Sequence, residues 1–73
     1  MKDNFIKHHI NLGKKIKELR LIQNWSQHEL AKRCSVNAAK ISKIENARAD
    51  LMFSTILEIS VALDVPLKEL FED

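Results

Sequence analysis

Residues 27–46 read Gln27-His28-Glu29-Leu30-Ala31-Lys32-Arg33-Cys34-Ser35-Val36-Asn37-Ala38-Ala39-Lys40-Ile41-Ser42-Lys43-Ile44-Glu45-Asn46, and this stretch decides the fold. Ser26 and Glu29 have the Ser-x-x-Glu spacing of a capping box, in which the hydroxyl accepts from a free amide of the first turn and the carboxylate reaches back. A short helix starts there and runs through Leu30, Ala31 and Cys34. Asn37 is the next good N-cap, and Ile41 and Ile44, three residues apart, give the following helix a buried side. Ala31 is small where the two helices cross closely, and Leu30, Val36, Ile41 and Ile44 fill the wedge between them. Two short helices joined by a few residues form the geometry that lays the second helix in a DNA major groove.

Upstream, helical spacing covers about residues 4–24. Leu12, Ile16, Leu19 and Ile22 recur at three and four residues, and Phe5, Ile6 and Ile10 extend the stripe backwards. Gly13 interrupts it at a cost of roughly 1 kcal/mol relative to alanine, so residues 3–10 are either an ordered extension of the helix or a frayed arm. Asn24 suits the stop, because asparagine tolerates the left-handed conformation. Downstream, Phe53, Ile56, Leu57, Ile59, Ser60 and Leu63 mark a fourth helix. Pro66 suits the first position of a last amphipathic turn carrying Leu67, Leu70 and Phe71. The expectation is an all-α fold of five helices in one domain, residues 1–73, with the helix-turn-helix at its centre.

The composition agrees with this reading. One glycine and one proline in 73 residues are too few for a loop-rich or all-β chain. Hydrophobic residues at 45% and charged residues at 30% are ordinary for a soluble domain. No apolar run of about 18 residues is present, the first residues lack the apolar stretch of a signal peptide, and one cysteine, Cys34, allows no internal disulfide. A cytoplasmic protein is expected. The net charge of +2 hides a segregation: residues 1–48 hold eleven Lys/Arg against four Asp/Glu, whereas residues 49–73 hold Lys68 against six acids, giving +7 and −5. A basic body with an acidic tail can offer one face to a polyanion and the other to a protein.

Other chemistries find little support. His8, His9 and His28 lack the spacing of a zinc site, and adjacent histidines diverge on a helix, so no metal and no cofactor are expected. Cys34 at a helix C-terminus meets the negative dipole end, which disfavours a thiolate, and it reads as a packing residue. Trp25 reads as packing at the core boundary rather than as a base-stacking platform. A chain of this size offers no deep cleft to shield a catalytic triad, so no enzymatic activity is expected.

The chain resembles the Xre-type, phage-repressor-like (Cro/CI) helix-turn-helix family over about residues 12–71. The landmarks are Leu12-Gly13-Lys14-Lys15-Ile16-Lys17-Glu18-Leu19-Arg20, Trp25-Ser26-Gln27-His28-Glu29-Leu30-Ala31, Ile41-Ser42-Lys43-Ile44-Glu45-Asn46 and Ala62-Leu63-Asp64-Val65-Pro66-Leu67-Lys68-Glu69-Leu70-Phe71. The resemblance implies a five-helix, lambda-repressor-like fold and a sequence-specific, double-stranded DNA-binding transcriptional regulator. Phage repressors, restriction–modification controllers and antitoxins are all small members of this kind. It implies a phosphate contact for Gln27, groove-facing positions for Asn37, Ala38, Ala39, Lys40 and Lys43, and backbone contacts for Asn46 and Arg48. Arg20 and Glu45 match a pair that ties helix 1 to the end of helix 3.

Four residues at three sites depart from the family pattern. Ser35 and Ala47 stand where glycine is common, Ser35 in a turn expected to need positive φ, and Leu51-Met52 replaces a frequent Pro-Ser, leaving Asp50 as the nearest conventional cap. Ala38 and Ala39 offer a base at most a methyl contact, so phosphate contacts and DNA shape carry much of the expected affinity. Such readers bind pseudo-palindromic operators as homodimers with half-sites roughly 34 Å apart. Leu67, Leu70 and Phe71, with Met52 and Phe53 nearby, either close the core or form the dimer seam. The alternative function is a protein-interaction adaptor that keeps the fold without DNA binding. The basic residues 1–48 argue against it, and Ala38 and Ala39 argue for it.

Overall fold

The computed structural model describes residues 3–48 and 51–71, with side chains from Lys7 onward. It contains α1 (Asp3–Ile22), α2 (Gln27–Lys32), α3 (Ala38–Glu45), α4 (Phe53–Leu63) and a C-terminal 3₁₀ helix (Leu67–Phe71). The fifth helix is thus a single tight segment, the form that short runs commonly take. Residues 3–10 extend α1.

Each start and stop has a local cause. Ser26 Oγ accepts from the Glu29 amide at 3.1 Å, and Asn37 Oδ1 accepts from the Lys40 amide at 2.8 Å, so α2 and α3 are both capped by side chains. The Glu29 carboxylate turns toward Lys32 and Arg33, at 3.4 and 3.9 Å. Helix α4 begins behind Met52, which gives no side-chain cap; Asp50, the expected one, lies outside the described residues. Three helices end in a Schellman motif, with Asn24, Ala47 and Asp64 in the left-handed region at φ 63°, 57° and 57°. In each, the next amide reaches back five residues: Trp25 to Arg20 at 3.2 Å, Arg48 to Lys43 at 2.7 Å, Val65 to Ser60 at 3.1 Å.

The core is a cluster of aliphatic side chains: Leu12 and Ile16 from α1, Leu30 from α2, Ile41 and Ile44 from α3, Ile56, Ile59 and Leu63 from α4, and Leu70 from the 3₁₀ helix. Leu19, Trp25, Ala31 and Val36 pack against its edge. Two expectations are corrected here. The α1 stripe stops at Leu19, because Ile22 lies in the last, outward-facing turn and is exposed. Leu70 is 1% exposed, so it closes the core and cannot also line a seam between two subunits.

Helix α1 packs on α3 and on the 3₁₀ helix, while α2 packs on α3 and α4. Gly13 marks the closest approach of α1 and α3. A Cβ at that position would lie 2.5 Å from the Ile44 carbonyl oxygen and 2.8 Å from that of Glu45. No described helix is long and apolar enough to cross a membrane.

Candidate nucleic-acid interface

Helix α3 buries Ile41, Ile44 and Glu45 and turns its other side outward. At 100° per residue, Ala39 and Lys43 lie at the middle of the outward arc, with Lys40 and Ser42 on its shoulders. Ala39 and Lys43 are exposed, whereas Ala38, Lys40 and Ser42 are half-buried. Asn37 is exposed, but its side-chain oxygen is committed to the cap. Ser42, the one hydroxyl on α3, shares this arc although the sequence comparison of positions did not assign it. The helical wheel alone carries that signal, since 42 stands three residues from 39 and next to 43.

What fixes the orientation of α3 is a charged cluster at its C-terminal end. Arg20 Nε donates to Glu45 Oε2 at 2.8 Å and Nη2 donates to Oε1 at 3.1 Å, a two-pronged pair with both side chains buried. Arg20 Nη1 donates to the Trp25 carbonyl at 2.7 Å, which ties the α1–α2 junction to the same guanidinium. Gln27 Nε2 donates to Glu45 Oε1 at 3.2 Å. The cluster therefore joins α1, α2 and α3 at one carboxylate. Gln27, expected at phosphate, spends one of its two amide hydrogens here and keeps the other.

The loop after α3 is set by the Schellman motif at Ala47. It leaves Asn46 and Arg48 exposed next to the helix end, with Asn46 Nδ2 donating to the Ser42 carbonyl at 2.8 Å. Among the described residues, Lys40, Lys43 and Arg48 have no carboxylate partner within salt-bridge distance, and of these Lys43 and Arg48 are exposed.

The turn between α2 and α3 differs from expectation. Helix α2 ends at Lys32 rather than continuing through Cys34, as the Arg33 and Cys34 amides bond three residues back, to Leu30 at 3.0 Å and Ala31 at 3.3 Å. Ser35 does not take positive φ. Its amide donates to Glu58 Oε1 at 3.1 Å, and its hydroxyl lies 2.7 and 2.8 Å from the two carboxylate oxygens. A carboxylate on α4 thus holds the turn where the family pattern uses glycine. No signal within residues 27–46 could have revealed Glu58, because the contact spans 23 residues.

Trp25 sits at the core boundary with the Arg33 guanidinium stacked 4.1 Å above its ring. Cys34 is half-buried, 3.4 Å from the Leu30 carbonyl oxygen. Among the described residues, no group of three His, Cys, Asp or Glu side chains is placed to hold a metal ion.

The helix-turn-helix family model matches residues 16–70, three quarters of the chain. The chain belongs to the Xre/Cro-CI-like helix-turn-helix family. Solved structures agree with that family placement. The restriction–modification controller protein C.AhdI from Aeromonas hydrophila superposes with a TM-score of 0.83 at 27% identity, covering 85% of this chain and 94% of that one. A hypothetical transcription factor, NHTF, from Neisseria gives 0.85 at 28% identity, covering 89% and 75%. The controller protein C.Esp1396I, solved as a tetramer with its natural 35 base-pair operator, shares the fold at a TM-score of 0.74 and 24% identity, covering 86% and 93%. Among curated proteins none is matched in sequence.

Proposed function

We propose that this chain is a transcriptional regulator that binds double-stranded DNA by laying α3 in the major groove. The observation that carries the reading is the outward face of α3, where Lys43 stands exposed on a helix locked from behind by Arg20 and Glu45. Lysine at that position can donate to guanine O6 and N7, and the Ala38 and Ala39 methyl groups can meet thymine methyls. Gln27, Asn46 and Arg48 flank the helix as phosphate contacts, and Lys40 adds to the positive field. Phosphate contacts set register, while few side chains read bases, so DNA shape contributes a large part of the specificity.

In this reading the chain, whether of phage-repressor, controller or antitoxin type, acts as a homodimer on a pseudo-palindromic operator, each subunit filling one half-site. In this reading the chain catalyses no reaction, takes no cofactor and works in the cytoplasm, with occupancy set by its own concentration. A gel shift against random duplex tests it. Retardation at about 50 mM salt that fades by about 200 mM supports DNA binding. A chain that leaves the duplex unretarded at the lower salt is a protein-interaction adaptor instead.

A further inference from the structure

We propose that Glu58, on α4 and apart from the groove-facing side chains, is a positioning residue for DNA reading: its carboxylate holds the α2–α3 turn and so aims α3. This role rests on the DNA-binding reading above. Helix α3 is eight residues long and meets the core through Ile41 and Ile44 on one side. Two buried side chains a turn apart fix how deep such a helix sits. A helix resting on one aliphatic ridge can still roll and swing, so its aim depends on what grips its two ends. The C-terminal end is gripped by the Arg20, Glu45 and Gln27 cluster and by the close approach at Gly13. At the N-terminal end stand Asn37, Ala38 and Ala39, and the chain enters them from the turn at Ser35 and Val36.

Among the described residues, the local hydrogen bonds stop on either side of Ser35. The Arg33 and Cys34 amides bond back into α2, and the Asn37 side chain bonds forward to the Lys40 amide. Between them, Val36 packs on the edge of the core and Ser35 bonds to α4. Glu58 accepts from the Ser35 amide at 3.1 Å, and its two oxygens lie 2.7 and 2.8 Å from the hydroxyl, so one carboxylate fixes both backbone and side chain of the same residue. Bonds to an ionised acceptor are the stronger kind. Both partners are exposed, so the contact adds little to global stability. Aim is more demanding than stability, because side chains that read a ligand have to sit within about 0.5 Å of the productive geometry. Loss of the latch therefore shows in DNA binding before it shows in melting. The sign of the change separates this role from a field effect. Glu58 is an anion, and taking an anion away tightens the hold on a polyanion by field alone, whereas releasing the turn weakens it.

Gel-shift titrations of the full chain test the role, with a duplex that the wild type selects from a random pool and a scrambled duplex as probes. Glu58→Gln keeps the size of the side chain and removes its charge. It is expected to weaken binding to the selected duplex by about tenfold, and to the scrambled one by less, with the thermal midpoint little changed. Ser35→Ala removes the hydroxyl from the other side of the contact and has the same effect. The double variant loses no more than about threefold beyond the larger single loss. Ser35→Thr keeps the hydroxyl and stays within about threefold of the wild type. Circular dichroism checks that each variant is folded; should Glu58→Gln unfold, the two Ser35 variants decide. Binding by Glu58→Gln as tight as that of the wild type or tighter, equal losses on both duplexes, or fully multiplying losses in the double variant overturn the proposal. A wild type that retards no duplex in the pool defeats the DNA reading and this role with it. A wild type that binds, beside a Glu58→Gln that binds equally well, defeats the role and spares the DNA reading.

Discussion

Gly13 occupies the interior of α1, where alanine would add roughly 1 kcal/mol of helix propensity. That local gain competes with the backbone of α3, whose Ile44 and Glu45 carbonyl oxygens stand within 2.5 and 2.8 Å of where a Cβ would go. Both obstacles are main-chain atoms, so neither can swing aside, and the helices must part. Gly13→Ala is therefore expected to lower stability by about 2 kcal/mol, as a downward shift in urea midpoint. An unchanged or raised midpoint would mean that α1 and α3 lie farther apart. Glu45 is the neighbouring case. Removing its carboxylate strands the Arg20 guanidinium in the interior and frees the Gln27 amide, so Glu45→Ala should cost about 3–5 kcal/mol. If Arg20→Ala and Glu45→Ala act through one pair, the double variant loses much less than the two single losses added together, and a strictly additive result would separate them.

At the scale of elements, what could be read from sequence was what local chemistry decides. Ser26 and Asn37 cap the helices that follow them because the oxygen and the amide it serves are three residues apart. The bounds of α4 followed from its apolar spacing in the same way. Ser35 was misjudged for the opposite reason: its backbone is settled by Glu58, 23 residues away, and no neighbour in sequence hints at that. Leu70 was ambiguous because the spacing of apolar residues says that a face is buried without saying by what. The start of α4 yields a prediction. Met52 stands at its N-cap with no side-chain bond and is exposed, so the first turn of α4 lacks the partner that Ser26 and Asn37 give α2 and α3. Met52→Ser is expected to stabilise the chain by about 1 kcal/mol, raising the thermal midpoint by roughly 4–8 °C in a domain of this size. A flat response would indicate that water already serves those amides as well as a hydroxyl.

Over the whole molecule, the arrangement of charge bears on how DNA is held. Lys40 and Lys43 lie on α3 and Arg48 just beyond it, while Glu58, Asp64 and Glu69 belong to α4, the following turn and the 3₁₀ helix. A polyanion is drawn to the first group and repelled from the second, so the field biases the approach toward the basic part of the chain, residues 1–48, that carries α3. Binding should then release counterions in proportion to the phosphates neutralised, with affinity falling linearly on a log–log plot against salt. Two substitutions separate the roles that the geometry gives to neighbouring cations. Arg48→Ala removes a backbone contact: it should weaken all duplexes alike and reduce the salt slope by about one for each subunit bound. Lys43→Ala removes a base contact: it should relax preference at one position of each half-site, at a cost of about 1–3 kcal/mol on the preferred sequence, while the slope changes little. Both residues are exposed, so thermal midpoints should stay where they are. Titrations of selected and scrambled duplexes at several salt concentrations measure both quantities at once. If Lys43→Ala changes only the slope and leaves sequence preference intact, α3 rides on the backbone, and base reading belongs to some other part of the chain.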